Sequence, residues 1–242
     1  MEESLSTARA AVEDGVRVVA ATPHVRADHP RVRPPELLGR CQALADGLAE
    51  HGVALEIVPG GEVDLRWAAQ ASDEELRMVS YAQLGRHLLV ETPYGNLDGT
   101  FEDRVFALAL RGYRIVLAHP ERSATFQHEP ARLGRLVDRG VLTQVTALSL
   151  ASGDRRSASR RLARALLREG RAHVVASDAH GTGAGRPPNL SAGAAAAQTI
   201  DHARAQWMVN EAPAAILAGE DPPPEPRRTS ARRLRLPWRR RS

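Results

Sequence analysis

Apolar runs of strand length recur along the chain, each followed by a stretch with helical spacing. The runs are RVVAATPH (17–24), LEIVPGGEV (55–63), HLLVETP (87–93), RIVLAHPER (114–122), LTQVTALSL (142–150) and AHVVASDAH (172–180). Between them lie PELLGRCQALADGLAEHG, TFEDRVFALALRG, EPARLGRLVDRG and DRRSASRRLARALLREG, and each closes on glycine, the residue that most readily ends a helix in the left-handed conformation. Near-continuous apolar strands alternating with helices predict an α/β fold with a parallel sheet covered on its faces. Six such units suit a barrel or a doubly wound sheet. No sequence repeat is visible beyond this alternation.

The polar residues fall at informative places. Five of the six runs end in a side chain able to bind a metal: His24, Glu62, Glu91, His119, and Asp178 with His180. In parallel α/β folds the carboxyl ends of the strands converge on one face, where active sites sit. Three imidazoles and three carboxylates favour Zn, Mn or Fe over Mg alone. Six ligands exceed what one catalytic zinc takes, so more than one divalent ion is expected. Clusters of this kind suit hydrolysis, because the ions activate water near neutral pH and neutralise phosphoryl oxygens. Arg122, in HPER, and Arg186, in HGTGAGRPP, stand just beyond two of these strand ends. A guanidinium grips phosphate with a planar fork, so both are candidate catalytic residues holding the substrate.

Composition narrows the picture. All 33 basic residues are arginine, and the last sixteen residues, RRTSARRLRLPWRRRS, hold eight of them and no acid. The formal charge of +4 therefore belongs to the tail, and the preceding 226 residues carry about four net negative charges. That charge distribution argues against a specific nucleic-acid interface on the folded body. The expected organisation is a domain over 1–220 and a Pro- and Arg-rich, disordered tail over 221–242, with weak contact to anionic membrane through the tail. Cys41 is the single cysteine, which excludes an internal disulfide. Without an apolar run of membrane-spanning length or a leader pattern, the expected location is the cytoplasm.

The motifs EESLSTARAAVEDGVRVVAATPH, GGEV, LLVETP, LAHPER and VVASDAHGTGAGRPP resemble, in order, those of bacterial capsular-polysaccharide protein-tyrosine phosphatases of the polymerase and histidinol phosphatase (PHP) superfamily. The resemblance runs from about residue 2 to 220. It implies a distorted (β/α)7 barrel, a trinuclear centre usually filled by manganese, and hydrolysis of phosphotyrosine on a tyrosine autokinase of polysaccharide export. It also implies that His24, Glu62, Glu91, His119, Asp178 and His180 are metal ligands, and that Arg122 and Arg186 hold the phosphate.

The chain departs from the family at its start. Members open with a strand carrying His-x-His and a downstream Asp, and no such segment precedes the helix beginning near Met1. The expectation is a barrel missing its first strand, with three ligands fewer, two unpaired parallel edges and weak metal binding. A start codon placed too far downstream accounts for this most simply. A histidinol-phosphate phosphatase and a non-catalytic PHP homologue acting as an interaction module are the rival readings.

Overall fold

A computed structural model describes residues 2–183 and 186–226. Eight strand segments are interspersed with helices: β1 (Val18–Ala21), β2 (His24–Val25), β3 (Glu56–Pro59), β4 (Glu62–Val63), β5 (His87–Glu91), β6 (Arg114–Ala118), β7 (Leu142–Thr146) and β8 (Val174–Ala176). Every pairing is parallel. β1 pairs with β3, and a second sheet runs β2-β4-β5-β6-β7-β8. The first two apolar runs thus each supply two short strands.

Local chemistry explains the breaks. Pro23 has no N–H to give a ladder, so the first run is interrupted between β1 and β2, although the Pro23 carbonyl still accepts from Glu62 N at 3.0 Å. The second run breaks at Gly60–Gly61. A Cβ on Gly61 would lie 2.8 Å from Val25 Cγ2 and 3.2 Å from the Val79 Cβ, so only glycine lets the segment pass. Beyond the breaks, His24 pairs with Glu62, and Glu62 pairs with Leu89.

Leu88, Val90, Ile115, Leu117, Val145 and Val175 are buried with Phe126, Leu133, Leu166 and Trp207 in the main core. Leu89, Val116 and Val174 belong to a second cluster with Tyr81 and Ile216. Central strands buried on both sides account for their unbroken apolar sequences. The helix Glu2–Glu13 packs Leu5, Ala8 and Ala11 against Leu48 and Leu55. Gly52, Gly112, Gly140 and Gly170 all have positive φ where their helices end, as their sequence positions predict.

The sheet is open among the described residues: no ladder joins β8 to β1 or β2. At their carboxyl ends the two edges nevertheless approach, with the His24 and His180 rings 5.8 Å apart. At the opposite end, Asp221 pairs with Arg114 (3.1 Å) and Arg86 (3.6 Å), and Glu225 with Arg204 (2.6 Å). Trp207 Nε1 donates to the Pro223 carbonyl at 3.1 Å. These bonds draw residues 221–226 across the ends where β5 and β6 begin. The arginine-rich stretch 227–242, where an anionic contact is expected, lies outside the described residues. No described helix is long and apolar enough to cross a membrane.

Candidate metal centre

His24 opens β2, Glu62 opens β4 and Glu91 closes β5, on three chain segments adjacent in the sheet. One ligand atom from each lies within 4.8 Å of the others. His24 Nδ1 is 3.8 Å from Glu91 Oε2, too long for a hydrogen bond, and this buried nitrogen has no hydrogen-bonding partner. A buried ring nitrogen without a partner, facing two carboxylates, is the donor set a divalent transition ion accepts. The residues fit a metal.

His119 joins this group through Glu62: its Nε2 lies 2.9 Å from Glu62 Oε1, with both side chains almost wholly buried. Burial by itself would raise the Glu62 pKa, but the hydrogen bond from His119 and the electrostatic influence of His119, then of the His24 and His180 rings, outweigh it and hold the carboxyl low. Burial would likewise lower His119, and the bond and charge of Glu62, aided by Glu121 and Asp178, turn its shift upward. The two groups thus stabilise each other's charged forms.

Asp178 and His180 form a second set. Asp178 Oδ2 accepts from Arg122 NH1 at 3.0 Å and also from Arg186 NH1. Arg186 NH2 lies 2.7 Å from His180 Nε2, and the backbone N of His180 donates to the Arg186 carbonyl at 2.8 Å. All eight residues singled out in the sequence therefore lie at the carboxyl end of the sheet. His24, Glu62 and Glu91 come within shared ligating distance, His119 is tied to Glu62, and Asp178 and His180 are engaged by the two arginines.

The backbone at this end is unusual. His119 (φ 38°) and Asp178 (φ 51°) are two of the four described non-glycine residues with positive φ. Each costs about 1–3 kcal/mol and persists only where surrounding contacts enforce it. His119 N donates to the Gln144 carbonyl at 2.8 Å, and the following turn closes with Arg122 N on the His119 carbonyl at 2.9 Å. Within that turn Glu121 is fully buried and accepts from Thr146 N at 3.0 Å, fastening the end of β6 to the end of β7. Burial holds its carboxyl above the usual range.

Three further residues escaped the reading of the sequence. Arg26 places NH1 3.3 and 3.4 Å from the Glu91 carboxylate oxygens. It stands just beyond β2, two residues after His24. Tyr94 lies with its ring centroid 5.2 Å from that of His119 and beneath the Arg122 guanidinium, 4.6 Å from Cζ. Glu121 sits between two residues already singled out, and nothing local distinguishes it from a surface acid.

Comparison with known proteins identifies the family. The family of capsular polysaccharide synthesis proteins CpsB/CapC matches residues 1–218. The tyrosine-protein phosphatase YwqE of Bacillus subtilis is 32% identical over 181 residues, which is 74% of this chain and 69% of that protein. The tyrosine-protein phosphatase CpsB of Streptococcus agalactiae serotype III is 26% identical over 200 residues, 79% of each. A chain from the crystal structures of YwqE from B. subtilis and CpsB from Streptococcus pneumoniae, described as metal-dependent tyrosine phosphatases, superposes with a TM-score of 0.77 at 26% identity, covering 93% of this chain and 92% of that one. This chain belongs to the CpsB/CapC family, and its relatives are metal-dependent tyrosine-protein phosphatases.

Proposed function

We propose that the protein is a metal-dependent phosphatase that hydrolyses phosphotyrosine on a protein, in the context of polysaccharide export a tyrosine autokinase. The observation that carries this reading is the convergence of His24, Glu62 and Glu91 within 4.8 Å, with Arg122 and Arg186 beside them. His24, Glu62, Glu91 and His119 would hold one part of a metal centre, and Asp178 and His180 would complete it. Support for more than one ion comes from the number of donors, and support for manganese comes from the family resemblance. The approach of His24 to His180 supports a barrel-like closure at this end.

When bound, the metal supplies Lewis-acid activation of water and neutralises charge on the phosphoryl oxygens. The chain's own residues do the rest. Glu62 keeps the His119 ring oriented through their buried 2.9 Å contact. Arg122 and Arg186 share Asp178 and carry further N–H donors for a phosphate. Tyr94 and the 94–97 segment stand at the edge of this group, where the phosphate's ester substituent would lie.

The test is hydrolysis by the purified chain with Mn²⁺ on a phosphotyrosine peptide and on histidinol phosphate. Preference for the peptide supports the reading, preference for histidinol phosphate transfers it to the small-molecule enzyme, and inactivity on both favours an interaction module. Arg122→Ala should lower kcat/KM by about 1–3 kcal/mol in transition-state terms while leaving metal content unchanged. Loss of metal together with activity would make Arg122 structural.

A further inference from the structure

Tyr94 is 46% exposed, although it touches two residues of the candidate centre. Arg122 lies over its ring at 4.6 Å, and the His119 ring is 5.2 Å away at an interplanar angle of 44°. The tyrosine does not stand on a free loop. Its carbonyl accepts from Ala124 N at 2.8 Å, the Gly95 carbonyl accepts from Ser123 Oγ at 3.5 Å, and Leu97 N donates to Thr125 Oγ1 at 2.9 Å. Three bonds thus fasten residues 94–97 to the segment that follows Arg122, so ring and guanidinium are positioned as one unit. An aromatic face beside a cationic phosphate donor matches an aryl phosphate: the phosphate meets the arginine while the aryl ring meets the aromatic side chain.

Resting on the phosphatase reading above, we propose that Tyr94 is a specificity-determining residue that selects aromatic phosphomonoesters over aliphatic ones by contact with the substrate's aryl ring. The residue adds no proton transfer and no ligand to the metal. Its contribution is differential binding, so it should act mainly on KM for substrates that have an aromatic ring.

Tyr94→Leu and Tyr94→Phe, loaded with Mn²⁺, would be assayed on a phosphotyrosine peptide and on the same peptide carrying phosphoserine, each substrate being compared with its own wild-type value. Tyr94→Leu should raise KM for the phosphotyrosine peptide by about five- to tenfold and change the phosphoserine value by less than about twofold. Tyr94→Phe should stay within about twofold on both, because the ring rather than the hydroxyl makes the contact. Equal losses on both substrates in Tyr94→Leu would mean that the ring merely holds Arg122, and no loss on either would mean that it is idle; both overturn the proposal. Equilibrium binding of free phosphotyrosine and phosphoserine to the same proteins separates this outcome from failure of the phosphatase reading. If the wild type hydrolyses neither peptide yet binds phosphotyrosine preferentially, and Tyr94→Leu abolishes that preference, the selection stands and the reaction is wrong. Equal wild-type binding of the two amino acids would overturn the selection itself.

Discussion

His119 and His87 lie on adjacent strands, both at most 2% exposed, yet they are driven in opposite directions. His119, at the carboxyl end of β6, has Glu62 at 2.9 Å and is held toward its protonated form. His87, the first residue of β5, has no hydrogen-bonding partner on either ring nitrogen and faces Arg114 and Arg86, with Asp221 beyond them. Burial and the two arginines push it down to about 4. His173, just before β8, also lies at about 4, lowered by burial and then by Arg204 and Arg114, although its Nδ1 accepts from Thr143 N at 3.1 Å. Burial disfavours the charged imidazole at both ends of the sheet. What differs is the partner, a carboxylate at one end and guanidinium groups at the other. One end thereby carries the candidate metal centre, while the other is sealed by the 221–226 segment.

The sharpest way to break this contrast is to remove the carboxylate. Glu62→Gln should reduce kcat/KM by about 100-fold or more and lower the bound metal, because it removes the negative charge that the proposed centre and His119 both face. Near-normal metal content, read by elemental analysis of the purified variant, would separate Glu62 from the centre.

At the sealed end the expected loss is of stability. Arg204 is almost fully buried and holds Glu225 at 2.6 and 3.0 Å and the Ala172 carbonyl at 2.7 Å. Arg204→Ala should cost about 3 kcal/mol in chemical denaturation, by leaving these acceptors short of a donor. Unchanged stability would show that the Arg204 bonds to Glu225 and Ala172 contribute nothing to the fold.

A smaller, pH-dependent effect sharpens the comparison further. The folded-state pKa values of His87 and His173, near 4, lie below the roughly 6.5 of an unfolded histidine. Between those values the unfolded chain binds more protons at these two sites, so their contribution to stability rises with pH through the window of about 4 to 6.5 and levels off above it. Each histidine contributes a slope of about 1.4 kcal/mol per pH unit. Denaturation of His87→Leu across that range should show a shallower slope than the wild type, and an identical slope would mean that His87 does not remain neutral in the folded state.

Much of the architecture was legible because it rests on burial pattern. All six apolar runs contain strand, and the helices Leu37–Glu50, Phe101–Leu110, Pro130–Val137 and Ala158–Glu169 lie where the spacing predicts them. The run 142–150 reads too long: β7 stops at Thr146 and Ala147–Ala151 is helical, since a short apolar stretch fits either state equally well. The helix Asp73–Val79 does carry a local signal, the capping box of Ser72 with Glu75. The helices between Leu190 and Leu217 are harder to read, because an alanine-rich stretch such as LSAGAAAAQ has little amphipathic contrast. In the site, strand-end position marked the candidate ligands because a parallel sheet gathers those ends together. The pairing of Arg26 with Glu91, and of Tyr94 with Arg122, depends on how separate loops fold toward one another, and no local period records that.

The left-handed backbone at His119 and Asp178 changes which replacements count as conservative. Among residues with a side chain, Asn, Asp and His enter that conformation most readily, and two of these three types also bind metals. Backbone and chemistry thus accept nearly the same short alphabet at both positions. Asp178→Glu keeps the carboxylate but puts a longer side chain on a backbone that disfavours it, whereas Asp178→Asn suits the backbone and gives up the charge. For anyone redesigning the centre, the usual ranking by charge is therefore the wrong guide: the torsion angle eliminates candidates before ligand chemistry is considered.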